Sequence, residues 1–294
     1  MNAELFDLFR EHMELQDKSS KTIKSYRSAL VDFDKWLFDV KEITDLRIVA
    51  FREIKNYREF LINKYSPASV NQKLIAIKQF YKFLTERKII STDPSETIKI
   101  QKISDNIKSQ YLTRSEELAI MNRAKLMGKR EYCIIMILLK LGLRPSEVSS
   151  LRLNCVHLSG DPTLIIKNSK RSKSRFLPIP PDTVQAIKDW LIIRNQSTKI
   201  YHQRSEYLFT SQRAERMGER AIQRVVEKIA SKENIRLYCT RLRSSFANDL
   251  LQEAKIPISI LSNLMGHENI STTGRYLTAS EHDVRKYVNK ISEL

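Results

Sequence analysis

Apolar residues recur at helical spacing through most of this chain. Leu5, Leu8, Phe9 and Met13 mark a first helix. A second carries the stripe Ile23, Tyr26, Leu30, Phe33 and Leu37, with Ser20 as its expected cap. A shorter helix is expected around Val49 to Ile62. Ser66-Pro67 then reads as an N-cap followed by proline at the first helical position, where no hydrogen-bonding N–H is lost. Val70, Leu74, Ile77, Tyr81 and Leu84 continue that fourth helix, and Asp93-Pro94-Ser95 is expected to end it. Residues 1–98 thus predict a four-helix domain, with a basic, polar linker over 99–112.

A second domain is expected over 113–294. Thr113-Arg114-Ser115-Glu116 has the pattern of a capping box. Helices follow to about Ser149, including a short apolar run from Tyr132 to Leu143 that reads as a buried helix. Thr163–Lys167 and Arg175–Ile179 predict two short strands, joined by a turn rich in cations (Lys170, Arg171, Lys173). Helices resume after Pro181. A last one near Ser280 to Ser292 carries the stripe Val284, Tyr287, Val288 and Ile291, suited to docking on a neighbouring protomer. The fold class is mainly α, with a small antiparallel sheet in the second domain.

Charge adds a partner to this picture. The formal net charge is +17. The first 100 residues hold 18 basic against 15 acidic side chains, leaving 33 against 19 in the remainder, so the second domain carries most of the attraction for an anion. Nucleic acid is the first expectation and an anionic membrane surface the second. No apolar stretch nears the roughly 20 residues that span a bilayer. The start, Met1-Asn2-Ala3-Glu4, has no secretory pattern. Three widely spaced cysteines and five scattered histidines fit neither a disulfide framework nor a zinc site. A cytoplasmic, nucleoid-associated protein without metal or cofactor is expected.

The candidate chemistry is cleavage of a phosphodiester. Tyr276 lies nine residues after His267 in Gly266-His267-Glu268-Asn269-Ile270-Ser271-Thr272-Thr273-Gly274-Arg275-Tyr276. Arg144 and Arg243 stand in Leu141-Gly142-Leu143-Arg144-Pro145-Ser146-Glu147 and Leu242-Arg243-Ser244-Ser245-Phe246-Ala247. A tyrosine attacking phosphorus needs fixed cations on the non-bridging oxygens, and arginine supplies a permanently charged fork. The leaving oxygen needs a proton, which lysine or histidine can give. A covalent phosphotyrosine stores the bond energy, so rejoining needs no ATP.

In this combination of motifs the chain resembles the tyrosine recombinase (phage integrase) family, and within it the compact, two-domain Xer-type and transposon-borne enzymes. The resemblance covers nearly the whole chain. It implies a SAM-like, core-binding first domain and a mixed α+β catalytic second domain. It makes Tyr276 the nucleophile, leaving a 3′-phosphotyrosine, and Arg144, Arg243 and His267 the phosphate ligands. Alignment of Lys170-Arg171-Ser172-Lys173-Ser174-Arg175-Phe176-Leu177-Pro178 on Pro178 places the proton-donating lysine at Lys170, with Lys173 the competing position. Arg171, Lys173 and Arg175 are expected to contact DNA. Glu147 matches the family's acidic position as an orienting residue. One position departs: where the family usually has histidine, three residues before Arg243, this chain has Thr240, either a site neighbour or a helix N-cap. Threonine cannot titrate near neutral pH, so proton transfer must lean on Lys170 and His267.

The implied partner is double-stranded DNA with paired inverted core sites. A protein monomeric in solution would assemble there as a homotetramer, with accessory DNA sites or proteins as further candidates and no membrane. With no extra arm-binding domain before the first helix, resolution of dimers or cointegrates is expected over phage-type integration. A type IB topoisomerase and a non-catalytic DNA-binding relative are the rival readings.

Overall fold

Ser19, rather than Ser20, starts the second helix. Its backbone is extended and its hydroxyl accepts the N–H of Thr22, filling one of the helix's orphan donors. Adjacent serines offer the same chemistry, and the one with extended backbone takes the cap. The computed structural model describes residues 2–102, 111–167, 174–211 and 213–266. The chain divides into two compact units, residues 1–105 and 106–294.

The first unit contains α1 (Asn2–Leu15), α2 (Ser20–Lys41), α3 (Phe51–Lys64) and α4 (Pro67–Glu86), with a short 3-10 turn at Leu46–Ile48. The predicted stripes form its core, with Ile23 and Tyr26 partly buried against it and Leu8 exposed, which leaves Leu5, Phe9 and Met13 to face inward. Helix α4 is buried on more than one face, because α2 and α3 pack on it and Phe9 of α1 meets Phe80 edge-on. Tyr81 is fully buried and donates its hydroxyl to the Leu46 carbonyl, so its polar end is satisfied.

Helix α4 ends at Glu86, before the expected stop at Asp93-Pro94-Ser95. That tripeptide instead builds a turn: the Asp93 carboxylate accepts from the Ser95 N–H and hydroxyl. Lys78 of α4 reaches the carbonyls of Ser95, Glu96 and Ile98, and the Asn71 amide pairs with both backbone groups of Gln101. Backbone expected as free linker is thus fastened to the helical unit as far as Gln101.

The second unit contains α5 (Arg114–Met127), α6 (Lys129–Lys140), α7 (Pro145–Ser150), strands β1 (Val156–His157), β2 (Thr163–Lys167) and β3 (Ser174–Pro178), then α8 (Pro181–Gln196), α9 (Ile200–Arg204), α10 (Glu219–Glu233), α11 (Cys239–Gln252) and α12 (Ile258–Met265). The capping box at Thr113 and Glu116 forms reciprocally. Residues Cys133 to Leu139 of α6 are all buried, with α5, α8, α10 and α11 packed around them. The sheet is antiparallel in the order β1-β2-β3, with Ile166 opposite Arg175 and Leu164 opposite Leu177. Strand β1 is two residues long and so carries no alternation from which to predict it. All three cysteines are buried and free. Among the described residues no helix is long and apolar enough to cross a membrane.

Helices α5 and α11 meet over an acidic group. Asp249 is half-buried beside Glu117 and Glu253. Burial foremost, then those two carboxylates, push its carboxyl up to about 6, against the pull of Lys140 and Arg114. A carboxyl raised in the fold adds stability below the ordinary value of 3.8 and loses it as pH rises through about 6. Asp249→Asn should therefore melt higher than the parent at pH 8 and alike at pH 4. Equal melting temperatures at pH 8 would contradict this.

Candidate active site: two arginines at one helix end

The site begins where α6 stops. Gly142 turns the chain with φ +61°, a left-handed conformation that side chains resist. A Cβ there would stand 2.2 Å from Cδ1 of Phe246 on α11, so glycine is required for space as well as for backbone angle. Leu143 anchors the turn in the core. Arg144 then takes the N-cap position of α7, with Pro145 at the first helical position. The Glu147 carboxylate accepts the Arg144 backbone N–H at 2.7 Å and its Nη1 at 3.1 Å. Main chain and side chain of Arg144 are thus fixed by one acid.

Arg243 comes from α11 and is buried. The helix is held in register by Arg241, which donates to the carbonyls of Arg236 (2.6 Å) and Tyr111 (3.1 Å) and forks onto Glu116 (2.9 and 3.0 Å). Ser245 adds a hydroxyl that accepts the Leu112 N–H at 2.7 Å. Arg243 donates through Nη1 to the Gly142 carbonyl and through Nη2 to the Met265 carbonyl.

Met265 brings the two arginines together. Its carbonyl also accepts from Arg144 Nη1 at 3.4 Å, and the Gly266 carbonyl accepts from Arg144 Nη2 at 3.2 Å. These oxygens lie at the C-terminal end of α12, where carbonyls lack intrahelical partners and the helix dipole is negative. Gly266 closes α12 in the left-handed conformation, at φ +60°. The helix end therefore acts as a neutral acceptor for two guanidinium groups. The Arg144 side chain remains 40% exposed, which leaves room for an anion.

Glu147 also engages Arg175 of β3. Arg175 Nη1 donates to Oε1 at 2.8 Å and Nη2 to Oε2 at 2.9 Å. Burial works against ionisation of Glu147, but the hydrogen bonds and charge of Arg175, with Arg144 behind them, hold its carboxyl below the ordinary 4.5. It is a carboxylate throughout the neutral range. Arg175 is, with Arg171 and Lys173, one of the three cations that the sequence leads one to expect at DNA. Its guanidinium makes a two-pronged pair with this half-buried acid, a geometry that suits a fork to a carboxylate.

Thr240 is the second residue of α11, and Tyr238 occupies the N-cap position. The N-cap reading of Thr240 is therefore corrected. Its side chain is exposed, one helical turn before Arg243. Lys170, Arg171 and Lys173, and the segment carrying His267, Tyr276 and the stripe Val284, Tyr287, Val288 and Ile291, lie outside the described residues. Sequence reasoning missed Arg241 and the Met265 carbonyl. An internal arginine that binds carbonyls has no spacing to announce it, and a backbone oxygen has no residue type. Among the described residues no group of three His, Cys, Asp or Glu side chains could hold a metal ion.

The sequence matches the Phage integrase family over residues 110–282 and the Phage integrase, N-terminal SAM-like domain over residues 5–91. The chain belongs to the phage integrase family. It is a tyrosine recombinase, an enzyme that cleaves and rejoins DNA in site-specific recombination. The tyrosine recombinase XerC of Myxococcus xanthus is 29% identical over 92% of this chain and 92% of its own. XerA of Thermococcus kodakarensis is 27% identical over 98% and 95%. Among solved structures, the Tn1549 transposon integrase in complex with transposon right end DNA shares the fold with a TM-score of 0.80 at 16% identity, covering 98% of this chain and 99% of that one. XerH bound to palindromic difH substrate does so with a TM-score of 0.75 at 18% identity, covering 90% and 78%.

Gly142→Ala tests how far this phage integrase depends on its arginine turn. The added methyl meets Phe246 in a strained backbone, so the variant should lose about 2–4 kcal/mol in urea unfolding. A loss within error of zero would show that the turn can relax.

Proposed function

We propose that Tyr276 attacks a DNA phosphate gripped by Arg144 and Arg243, forming a 3′-phosphotyrosine and freeing a 5′ hydroxyl. The phenolic oxygen bonds to phosphorus as the bond to the 5′ oxygen breaks. Lys170 protonates that leaving oxygen. Attack of a 5′ hydroxyl on the phosphotyrosine reverses the step and joins a new strand. His267 assists at the phosphate, and Thr240 supplies a hydroxyl beside it where a titratable ring is usual.

The observation that carries this reading is the meeting of Arg144 and Arg243 at the Met265 carbonyl. Two permanently charged forks within reach of one oxygen suit the charge that develops on a phosphate under attack. That carbonyl stands two residues before His267 and eleven before Tyr276 in the sequence. Lys170 and Lys173 fall between β2 and β3 in the sequence, and β3 delivers Arg175 to the same cluster.

Residues 1–98 are proposed as the core-binding domain, 99–112 as the linker and 113–294 as the catalytic domain, which holds most of the excess positive charge. Both bind duplex DNA, with affinity from phosphate contacts and a steep dependence on salt. Arg171 and Lys173 contribute to those contacts. A tetramer on paired inverted core sites, in the cytoplasm at the nucleoid, completes the proposal. Resemblance to Xer-type recombinases along nearly the whole chain favours resolution of dimers or cointegrates as the outcome.

A nicked suicide substrate tests the assignment. Wild-type protein should form a covalent adduct, and Tyr276→Phe should form none. An adduct that survives the substitution would move the nucleophile elsewhere. Lys170→Ala should slow adduct formation by about 100-fold or more, the usual worth of a positioned proton donor. Cleavage at the parental rate would transfer that role to another group, Lys173 first.

A further inference from the structure

We infer that Arg175 is a positioning residue, which holds Arg144 in its working orientation through Glu147 and does not contact DNA. This rests on the proposed role of Arg144 at the phosphate. Each oxygen of the Glu147 carboxylate serves both arginines. Oε1 accepts from Arg144 Nη1 and Arg175 Nη1, and Oε2 from the Arg144 N–H and Arg175 Nη2. Without Arg175, the carboxylate would lose a two-pronged partner and could rotate, and Arg144 with it.

Three further observations set Arg175 apart from a phosphate contact. Its side chain is only 17% exposed. Among the described residues its Nε is buried without a hydrogen-bond partner, whereas both terminal nitrogens are held by Glu147. And it lies against the end of α12: a Cβ on Gly266 would stand 2.7 Å from Arg175 Nη1. The guanidinium therefore occupies the space that glycine leaves open, beside the carbonyls that receive Arg144. Arg175 touches the start of α7 and the end of α12 together, the two places that fix Arg144.

The fork, rather than the charge, is what this role needs, so Arg175→Lys separates the possibilities. A lysine keeps a phosphate contact but cannot span both oxygens of Glu147. The full-length variant should bind core-site DNA within about twofold of the parent with an unchanged salt slope, yet form the covalent adduct about 30-fold or more slower. In an Arg144→Ala background the same substitution should add less than about threefold, because its effect passes through Arg144. Parental cleavage by Arg175→Lys, a salt slope reduced by about one, or losses that multiply in the double variant would each overturn the inference. A second pair keeps the claim testable without activity. Arg175→Lys and Glu147→Gln together should unfold at the same urea midpoint as the weaker single variant, and additive shifts would overturn it. Absence of any adduct with the parental protein would instead sink the assignment of Tyr276, leaving the urea cycle to decide on Arg175.

Discussion

The carbonyl of Met265 receives two guanidinium groups, and most of the site follows from that. Arg144 arrives from the start of α7 and Arg243 from the body of α11, elements far apart in sequence. Their charges repel, and burial of Arg243 removes water that would screen them. A helix end offsets this without neutralising either cation. Its carbonyls are unsatisfied acceptors, and its dipole is negative there. A full carboxylate in the same place would compete with any phosphate, whereas a carbonyl holds the forks and leaves their charge available. Among the described residues, the carboxylate that touches Arg144, Glu147, is shared with Arg175 and so is partly spent on a second cation.

Around this junction, the surrounding sequence is restricted for mechanical reasons. Gly142 must be glycine because the turn is left-handed and Phe246 fills the space where a Cβ would be. Gly266 must be glycine because it caps α12 in the left-handed conformation against Arg175. Arg241 and Ser245 clip α11 to Tyr111, Leu112 and Glu116, at the start of the second unit. A capping box that reads as a helix start thus also fixes the helix that carries Arg243, since Glu116 serves both Thr113 and Arg241.

Much of the fold was legible in the sequence. The stripes on α1 to α4 give the core of the first unit because a helix must bury its apolar face, and the exposed Leu8 shows the limit: a stripe names a face, and packing selects within it. Thr113 to Glu116 was legible because its partners are three residues apart. Ser19 and Ser20 could not be separated, since either can cap. The early end of α4 was hidden because Asp93-Pro94-Ser95 marks a turn without saying where the preceding helix stops. Within the site, Arg144 and Arg243 were legible from their motifs. The pairing of Arg175 with Glu147 was hidden because the two residues lie 28 apart in sequence, with no spacing to link them. Thr240 was ambiguous because the cap lies two residues earlier, at Tyr238.

The central claim is that Arg144 and Arg243 hold the charge of one phosphate. It is tested most directly with a substrate whose scissile phosphate carries a methyl group in place of one charged non-bridging oxygen. With that charge removed, Arg144→Ala and Arg243→Ala should each lose far less cleavage rate, relative to the parent, than on ordinary DNA, where the loss should reach about 100-fold or more. Equal fold-losses on both substrates would mean that these arginines do not act on the charge of that phosphate, and would contradict the account.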